Sequence, residues 1–139
     1  MVERTLGIIK PDGVSRSLAG SVLARIEKEG FVIRALKMIR MNKQQAEGFY
    51  AVHSGKPFFE SVTRFMSSGP CVVMVLEGDD AVSRYRALMG STDPAEAEEG
   101  TLRKLYATDI ERNVVHGSDS TANADKEIRY FFSDLELVL

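Results

Sequence analysis

The stretch "NVVHGSDS", residues 113–120, puts His116, one of two histidines in the chain, behind two β-branched residues and ahead of glycine, serine and aspartate. Imidazole is the one side chain that is both substantially unprotonated and a good nitrogen nucleophile at neutral pH. As a general base it would activate a hydroxyl, and Ser118 and Ser120 stand close by in sequence. As a nucleophile it needs an acceptor for its other ring N–H. Glu127, about three helical turns downstream, supplies a carboxylate for that. The plain alternative is a polar loop histidine bonded to its neighbours' backbone.

Groups suited to an anionic substrate are spread along the chain. Lys10 ends an apolar run, Arg86 precedes a long polar stretch, and Thr92 and Arg103 lie within it. Brought together they would bind phosphate oxygens, and phosphoryl transfer is catalysed chiefly by such positioning and charge neutralisation, with Mg²⁺. Each alone reads as a solvated surface charge. Phe58 is either core or a plate on which a base stacks, and Tyr50 shares that ambiguity while adding a hydroxyl. His53, near a helix C-terminus, reads as a favourable dipole placement and nothing more. The chain has no G-x-x-x-x-G-K-[ST], no G-x-G-x-x-G, no protein-kinase catalytic loop and no cluster at metal-ligand spacing. A metal, if used, must arrive with the substrate.

These residues need elements to position them. "RTLGIIK" (4–10) predicts a strand closed by "KPDG", which fits a type I turn with Pro11 second and Gly13 fourth. Leu18, Val22, Leu23 and Ile26 recur at helical spacing up to Gly30, and "FVIRALKMI" (31–39) predicts a second strand. Asn42 caps a helix whose third residue is Gln45, and Pro57 opens another short one. "CVVMVLEG" (71–78) reads as a central strand and "DDAVSRYRALMG" (79–90) as a capped helix. Residues 91–112 predict a mostly irregular connection, broken by a one-turn helix at Asp93, Pro94 and Glu96. "NVVH" predicts a brief edge strand before a final helix over about 121–132. That order predicts an α+β, ferredoxin-like (split βαβ) sandwich on an antiparallel four-stranded sheet.

At 139 residues the chain is sized for a single domain, 1–139, with a core of its own. Its 44% hydrophobic and 27% charged residues exclude wholesale disorder. Eighteen basic side chains against 20 acidic ones leave a net charge of −2, so no long-range positive field draws it to nucleic acid or an anionic membrane. The longest apolar stretch, "CVVMVL", is too short to span a bilayer. The N-terminus, with Glu3 beside Arg4 and a break at Pro11, lacks the form of a signal peptide, so a cytoplasmic location is expected. The single Cys71 reads as a small core side chain.

The ordered blocks "IIKPDGV", "KPFFESV", "SSGPCVVMVLEG", "MGSTDPAEAEEGTLR", "NVVHGSDS" and "ADKEI" span nearly the whole chain and resemble the nucleoside diphosphate kinases. The resemblance implies transfer of the γ-phosphoryl group from a nucleoside triphosphate to a nucleoside diphosphate. The implied mechanism is ping-pong, through a phosphohistidine on His116, with broad base and sugar specificity. It selects the nucleophile over the general base, since a phosphorylated imidazole keeps a high transfer potential whereas a serine ester would trap the group.

By the same resemblance Glu127 orients the imidazole, Ser118 supports that arrangement and Tyr50 lies beside the phosphorylated ring. Lys10, Arg86, Thr92 and Arg103 look like phosphate ligands, with Lys10 and Asn113 also reaching the ribose hydroxyls. Phe58 and Ile110 would cover the two faces of the base. Mg²⁺ is the implied cofactor, held by substrate phosphates with no direct protein ligand and at most water-mediated help from Asp119. The implied partners are nucleoside di- and triphosphates and further copies of the chain, as a homo-oligomer. The end at Leu139, without the long tail of many relatives, leaves a tetramer as well supported as a hexamer. Leu105 and Tyr106 stand where the family usually has aspartate and phenylalanine, which puts loop packing rather than activity in question. The competing class is a noncatalytic nucleotide-binding module on the same scaffold.

Overall fold

A computed structural model describes residues 1–139. The apolar, β-branched runs form β1 (Val2–Ile9), β2 (Val32–Ile39), β3 (Cys71–Asp79) and β4 (Val115–Gly117). Helices α1 (Pro11–Ser15) and α2 (Ala19–Lys28) join β1 to β2, and α3 (Lys43–Phe49) and α4 (Phe59–Met66) join β2 to β3. Then α5 (Ala81–Met89) and α6 (Leu102–Tyr106) join β3 to β4, and α7 (Thr121–Phe131) follows. The sheet order is β2-β3-β1-β4 with every neighbouring pair antiparallel, the ferredoxin-like α+β sandwich expected.

Strand periodicity explains the continuous apolar run of β3. Val72, Met74 and Leu76 enter one core with Val22 and Ile26 of α2 and Tyr85 and Leu88 of α5. Cys71, Val73 and Val75 point the other way, to Ala46 of α3, Met66 of α4 and Ile128 of α7. A strand covered on both faces has no polar positions to alternate with. Each fully buried Val, Leu or Met there stabilises the fold by roughly 1.5–3 kcal/mol, so a charge at Val73 would break the sheet's centre.

Local signals act as their chemistry dictates. Asn42 Oδ1 accepts the Gln45 N–H at 2.7 Å while Gln45 Oε1 accepts the Asn42 N–H at 2.9 Å, closing a capping box on α3. Ser120 caps α7 by accepting the Asn123 N–H at 3.1 Å.

Three segments differ from expectation. "KPDG" does not stop as a turn: with Pro11 in the first position, the Gly13 and Val14 N–H groups both reach the Lys10 carbonyl, at 2.9 and 3.1 Å, and the chain continues as α1. Pro57 lies outside α4, whose cap position is Phe58. In residues 91–112 the expected one-turn helix is a bare turn, in which Asp93 Oδ1 accepts the Ala95 N–H at 3.0 Å. The unexpected α6 forms further on, capped by Thr101 and anchored by the fully buried Leu102. Of its two departures from the family pattern, Tyr106 packs against the core and Leu105 is exposed. No helix is long and apolar enough to cross a membrane.

Candidate active site

Strand β4 is the sheet edge beside β1, and its register sets His116 opposite Ile8. His116 Nε2 lies 2.9 Å from Glu127 Oε1, both side chains about one-fifth exposed (19% and 20%). The same oxygen accepts the Ser118 hydroxyl at 2.8 Å, and Ser118 Oγ in turn accepts the Leu6 N–H at 3.2 Å. Glu127 is thus tied through Ser118 to β1. A carboxylate against Nε2 holds the ring proton there and leaves the lone pair on Nδ1. Neither serine competes: Ser118 is fully buried with its proton turned to Glu127, and Ser120 is spent on the α7 cap. The Phe49 and imidazole rings meet in a T-shaped contact with 5.3 Å between centroids.

Beside the imidazole a cavity of about 490 Å³ takes its walls from Tyr50, Arg86, Thr92, Arg103, Asp119 and Glu127 among others. Three of the four residues expected to handle phosphate, Arg86, Thr92 and Arg103, therefore meet His116 from α5, the loop after it and α6. Arg103 donates to the carbonyls of Gly90 at 3.0 Å and Val115 at 2.9 Å, which locks the guanidinium and leaves an N–H on each terminal nitrogen for a ligand. Burial pulls its pKa down, yet arginine stays charged. Burial, with Glu127 nearby, holds the Tyr50 phenol above its ordinary pKa, so its hydroxyl stays neutral. A hydrogen bond from Asn123 Nδ2 at 2.6 Å lowers the pKa of Asp119.

Lys10 and Asn113 stand outside this lining and pair with each other, Lys10 Nζ donating to Asn113 Oδ1 at 2.8 Å. Asn113 Nδ2 donates to the carbonyls of Ile110 at 2.8 Å and Thr92 at 3.3 Å. Burial, and then the Arg103 charge, lowers the Lys10 pKa to about 8. A buried ammonium with one hydrogen-bond partner is poised to gain from an anion.

Phe58 and Ile110 also lie outside the cavity at His116, and both are exposed, by 45% and 59%. They sit on walls that are joined. The Ser61 hydroxyl of α4 donates to Glu111 at 2.7 Å, and the Arg112 guanidinium lies 5.7 Å from the Phe65 ring centre. A second, more open depression of about 660 Å³ carries Asp93, Asp109 and Glu111 against a single Lys104, a balance that repels phosphate. Nowhere do three or more His, Cys, Asp or Glu side chains gather as a cation cage.

Sequence reasoning missed three features. His53 lines the cavity from the 3-10 turn Ala51–His53, its ring 5.4 Å from Phe58. Phe49 packs into the smaller core and against the His116 ring at once. Val114 adopts φ +71°, and the Val115 N–H reaches back to the Asn113 carbonyl at 2.8 Å, making a γ-turn of the rarer positive-φ kind. A β-branched residue there carries strain of about 1–3 kcal/mol. The Lys10 N–H holds the Val114 carbonyl at 2.7 Å and Asp12 Oδ2 holds the Val114 N–H at 3.1 Å. Valine is a residue type that disfavours a positive φ, so nothing at position 114 signals it.

The sequence model of the nucleoside diphosphate kinase family matches residues 3–137. The chain belongs to that family. Nucleoside diphosphate kinases from Desulfosudis oleivorans and Nitratidesulfovibrio vulgaris (strain DP4) are similar to it at 63% and 59% identity, each alignment covering 99% of both chains. The crystal structure of the Aquifex aeolicus nucleoside diphosphate kinase superposes with a TM-score of 0.98 at 46% identity, over 99% of this chain and 100% of that one. A halophilic nucleoside diphosphate kinase from Halobacterium salinarum, in complex with CDP, superposes at 0.96 and 42% identity, over 100% and 93%. Nucleoside diphosphate kinases transfer phosphate between nucleotides through a phosphohistidine, and the chain is an enzyme of this kind.

Proposed function

We propose that the 139 residues act as one domain in which His116 is the phosphoryl carrier. The Nδ1 lone pair attacks the γ-phosphorus of a nucleoside triphosphate, the bond to the bridging oxygen breaks, and the diphosphate leaves. A second nucleoside diphosphate then takes the group from Nδ1 through its terminal oxygen. The observation that carries this reading is the 2.9 Å contact between Nε2 and Glu127, which frees Nδ1 at a cavity bearing Arg86 and Arg103.

Arg86, Thr92 and Arg103 bind the phosphates, Lys10 neutralises charge and with Asn113 reaches the ribose, and Tyr50 lies beside the phosphorylated ring. Ser118 and Glu127 position the imidazole. The exposed Phe58 and Ile110 take the base between them. Stacking reads no base edge, so specificity is broad. The donor set fits Mg²⁺ brought in on the substrate, since the cavity wall holds Asp119 and Glu127 and Glu127 is engaged with His116. Asp119 would hold the ion through water, and the ion supplies charge neutralisation to the phosphates. Nucleoside di- and triphosphates, CDP among them, are the partners. Self-association as a homotetramer or homohexamer is supported by the exposed Val32, Leu36 and Met38 on edge strand β2.

The test is to mix purified protein with γ-labelled nucleoside triphosphate and Mg²⁺. Acid-labile, base-stable label that nucleoside diphosphate discharges, and that His116→Ala does not acquire, is expected. Equal labelling of His116→Ala would overturn the reading, and nucleotide binding without exchange would favour a noncatalytic module.

A further inference from the structure

Resting on that reading, we infer that Asp12 is a positioning residue for phosphoryl transfer, acting through the strained turn at Val114. It touches no reacting atom. Its Oδ2 accepts the Val114 N–H at 3.1 Å, while the backbone N–H of Lys10, two residues earlier, donates to the Val114 carbonyl at 2.7 Å. Both peptide groups of the turn are therefore gripped by the start of α1. On one side of Val114 stands Asn113, the partner of Lys10 Nζ. On the other side Val115 gives its carbonyl to Arg103 and leads directly into His116. Letting the turn relax would move all three of these site groups together.

The rest of the segment fits the same purpose. A Cβ on Gly13 would meet Ile9 Cγ2 at 2.9 Å and Val114 Cγ1 at 3.1 Å, so only glycine lets α1 lie this close to the turn. The Val114 side chain is fully buried in the larger core and cannot be exposed to relieve the backbone. Asp12 itself is buried, and its Oδ1 has no partner. A carboxyl placed at that cost for one hydrogen bond to a positive-φ residue is accounted for by the geometry it imposes. Strain of this kind persists only where the surroundings over-determine it, and here the clamp and the core do so together.

Single-turnover labelling of His116 by γ-labelled nucleoside triphosphate tests this, with unfolding midpoints measured alongside. Asp12→Ala is expected to fold but to label on the order of 100-fold more slowly, the cost of a displacement of about 1 Å at a reacting group, with a smaller change in KM. Asp12→Asn keeps an acceptor for Val114 N–H and is expected to keep most of the wild-type rate. Val114→Gly in the Asp12→Ala background adopts the positive φ without a clamp and is expected to recover rate while losing stability. A role in stability alone would lower midpoints without this pattern of rates. The inference is overturned if folded Asp12→Ala labels as fast as wild type, if Asp12→Asn is as slow as Asp12→Ala, or if Val114→Gly rescues nothing. A wild type that takes no label would instead overturn the functional reading, and the inference with it.

Discussion

Glu127 Oε1 lies 2.9 Å from His116 Nε2 and 2.8 Å from Ser118 Oγ, so one carboxylate oxygen is shared between the imidazole and a serine fixed to the neighbouring strand. The oxygen on α7 fixes the tautomer on β4, and β1 fixes the oxygen. An imidazole held this way presents Nδ1 without a proton transfer before attack.

Glu127→Ala should therefore slow phosphorylation of His116 by about 10- to 100-fold, the usual effect of removing a partner that orients a histidine, while KM for the triphosphate changes little. Ser118→Ala should behave differently. It leaves the buried Leu6 N–H unpartnered, which costs about 1–3 kcal/mol. Pre-steady-state kinetics and denaturant unfolding on the two variants separate these effects. A Glu127→Ala enzyme at full rate would show that the carboxylate does not set the tautomer.

Lys10 gives a proton-linkage prediction. Burial lowers its pKa to about 8 from an ordinary 10.5. The folded state thus binds fewer protons than the unfolded chain between those values, so this group's contribution to stability rises with pH across that window. A phosphate beside the ammonium favours the charged form, so nucleotide binding near pH 8.5 should take up protons, and binding near pH 6.5 should not. Calorimetry of ADP binding in buffers of different ionisation enthalpy measures this directly. Lys10→Met should abolish the buffer dependence at pH 8.5, and a wild type without it would refute the lowered pKa.

Much of this was legible in the chain. Period-2 and period-3.6 apolar spacing gave the strand and helix order, and Asn42 with Gln45 announced the α3 cap because a capping box is written in adjacent residue types. That Glu127 could return to the His116 ring was legible because the helix after β4 comes back within a few turns, whereas the choice of nucleophile over general base rested on the family resemblance. Convergence of Arg86, Thr92 and Arg103 was not, since it depends on long-range packing of a loop with no period of its own. Helix α6 escaped for the same reason: its anchor, Leu102, carries no repeat. The γ-turn at Val114 runs against the preference of its own residue type, and only the buried contacts to Lys10 and Asp12 reveal it.

Phe58 should act on binding alone. It is exposed and makes no contact with His116, so Phe58→Ala should raise KM for purine and pyrimidine nucleotides alike and leave single-turnover phosphorylation at saturation nearly unchanged. Loss of about 0.5–1.5 kcal/mol per stacked pair corresponds to a modest rise in KM. Steady-state kinetics across several nucleoside diphosphates checks it. A large fall in kcat with constant KM would place Phe58 in transition-state positioning instead.

Gly117 follows His116 on β4 and faces the opposite side of the strand, toward α5. It pairs with Gly7 of β1, and the two glycines make a flat seat for Tyr85: a Cβ on Gly117 would sit 2.6 Å from Tyr85 Cδ2 and 2.7 Å from Met89 Cε, and one on Gly7 would sit 3.3 Å from the Tyr85 hydroxyl oxygen. Tyr85 is fully buried and has no room to retreat. Gly117→Ala should then cost about 1–3 kcal/mol of stability by overpacking. It should also slow His116 phosphorylation, because the strand that carries the imidazole is the one lifted. Tyr85→Phe should not restore either property, since the clash is with ring carbons rather than the hydroxyl, whereas Tyr85→Leu in the Gly117→Ala background should recover part of the rate. Chemical denaturation and single-turnover labelling on the four proteins decide it. An unchanged unfolding midpoint for Gly117→Ala would mean that β4 is not pinned against α5.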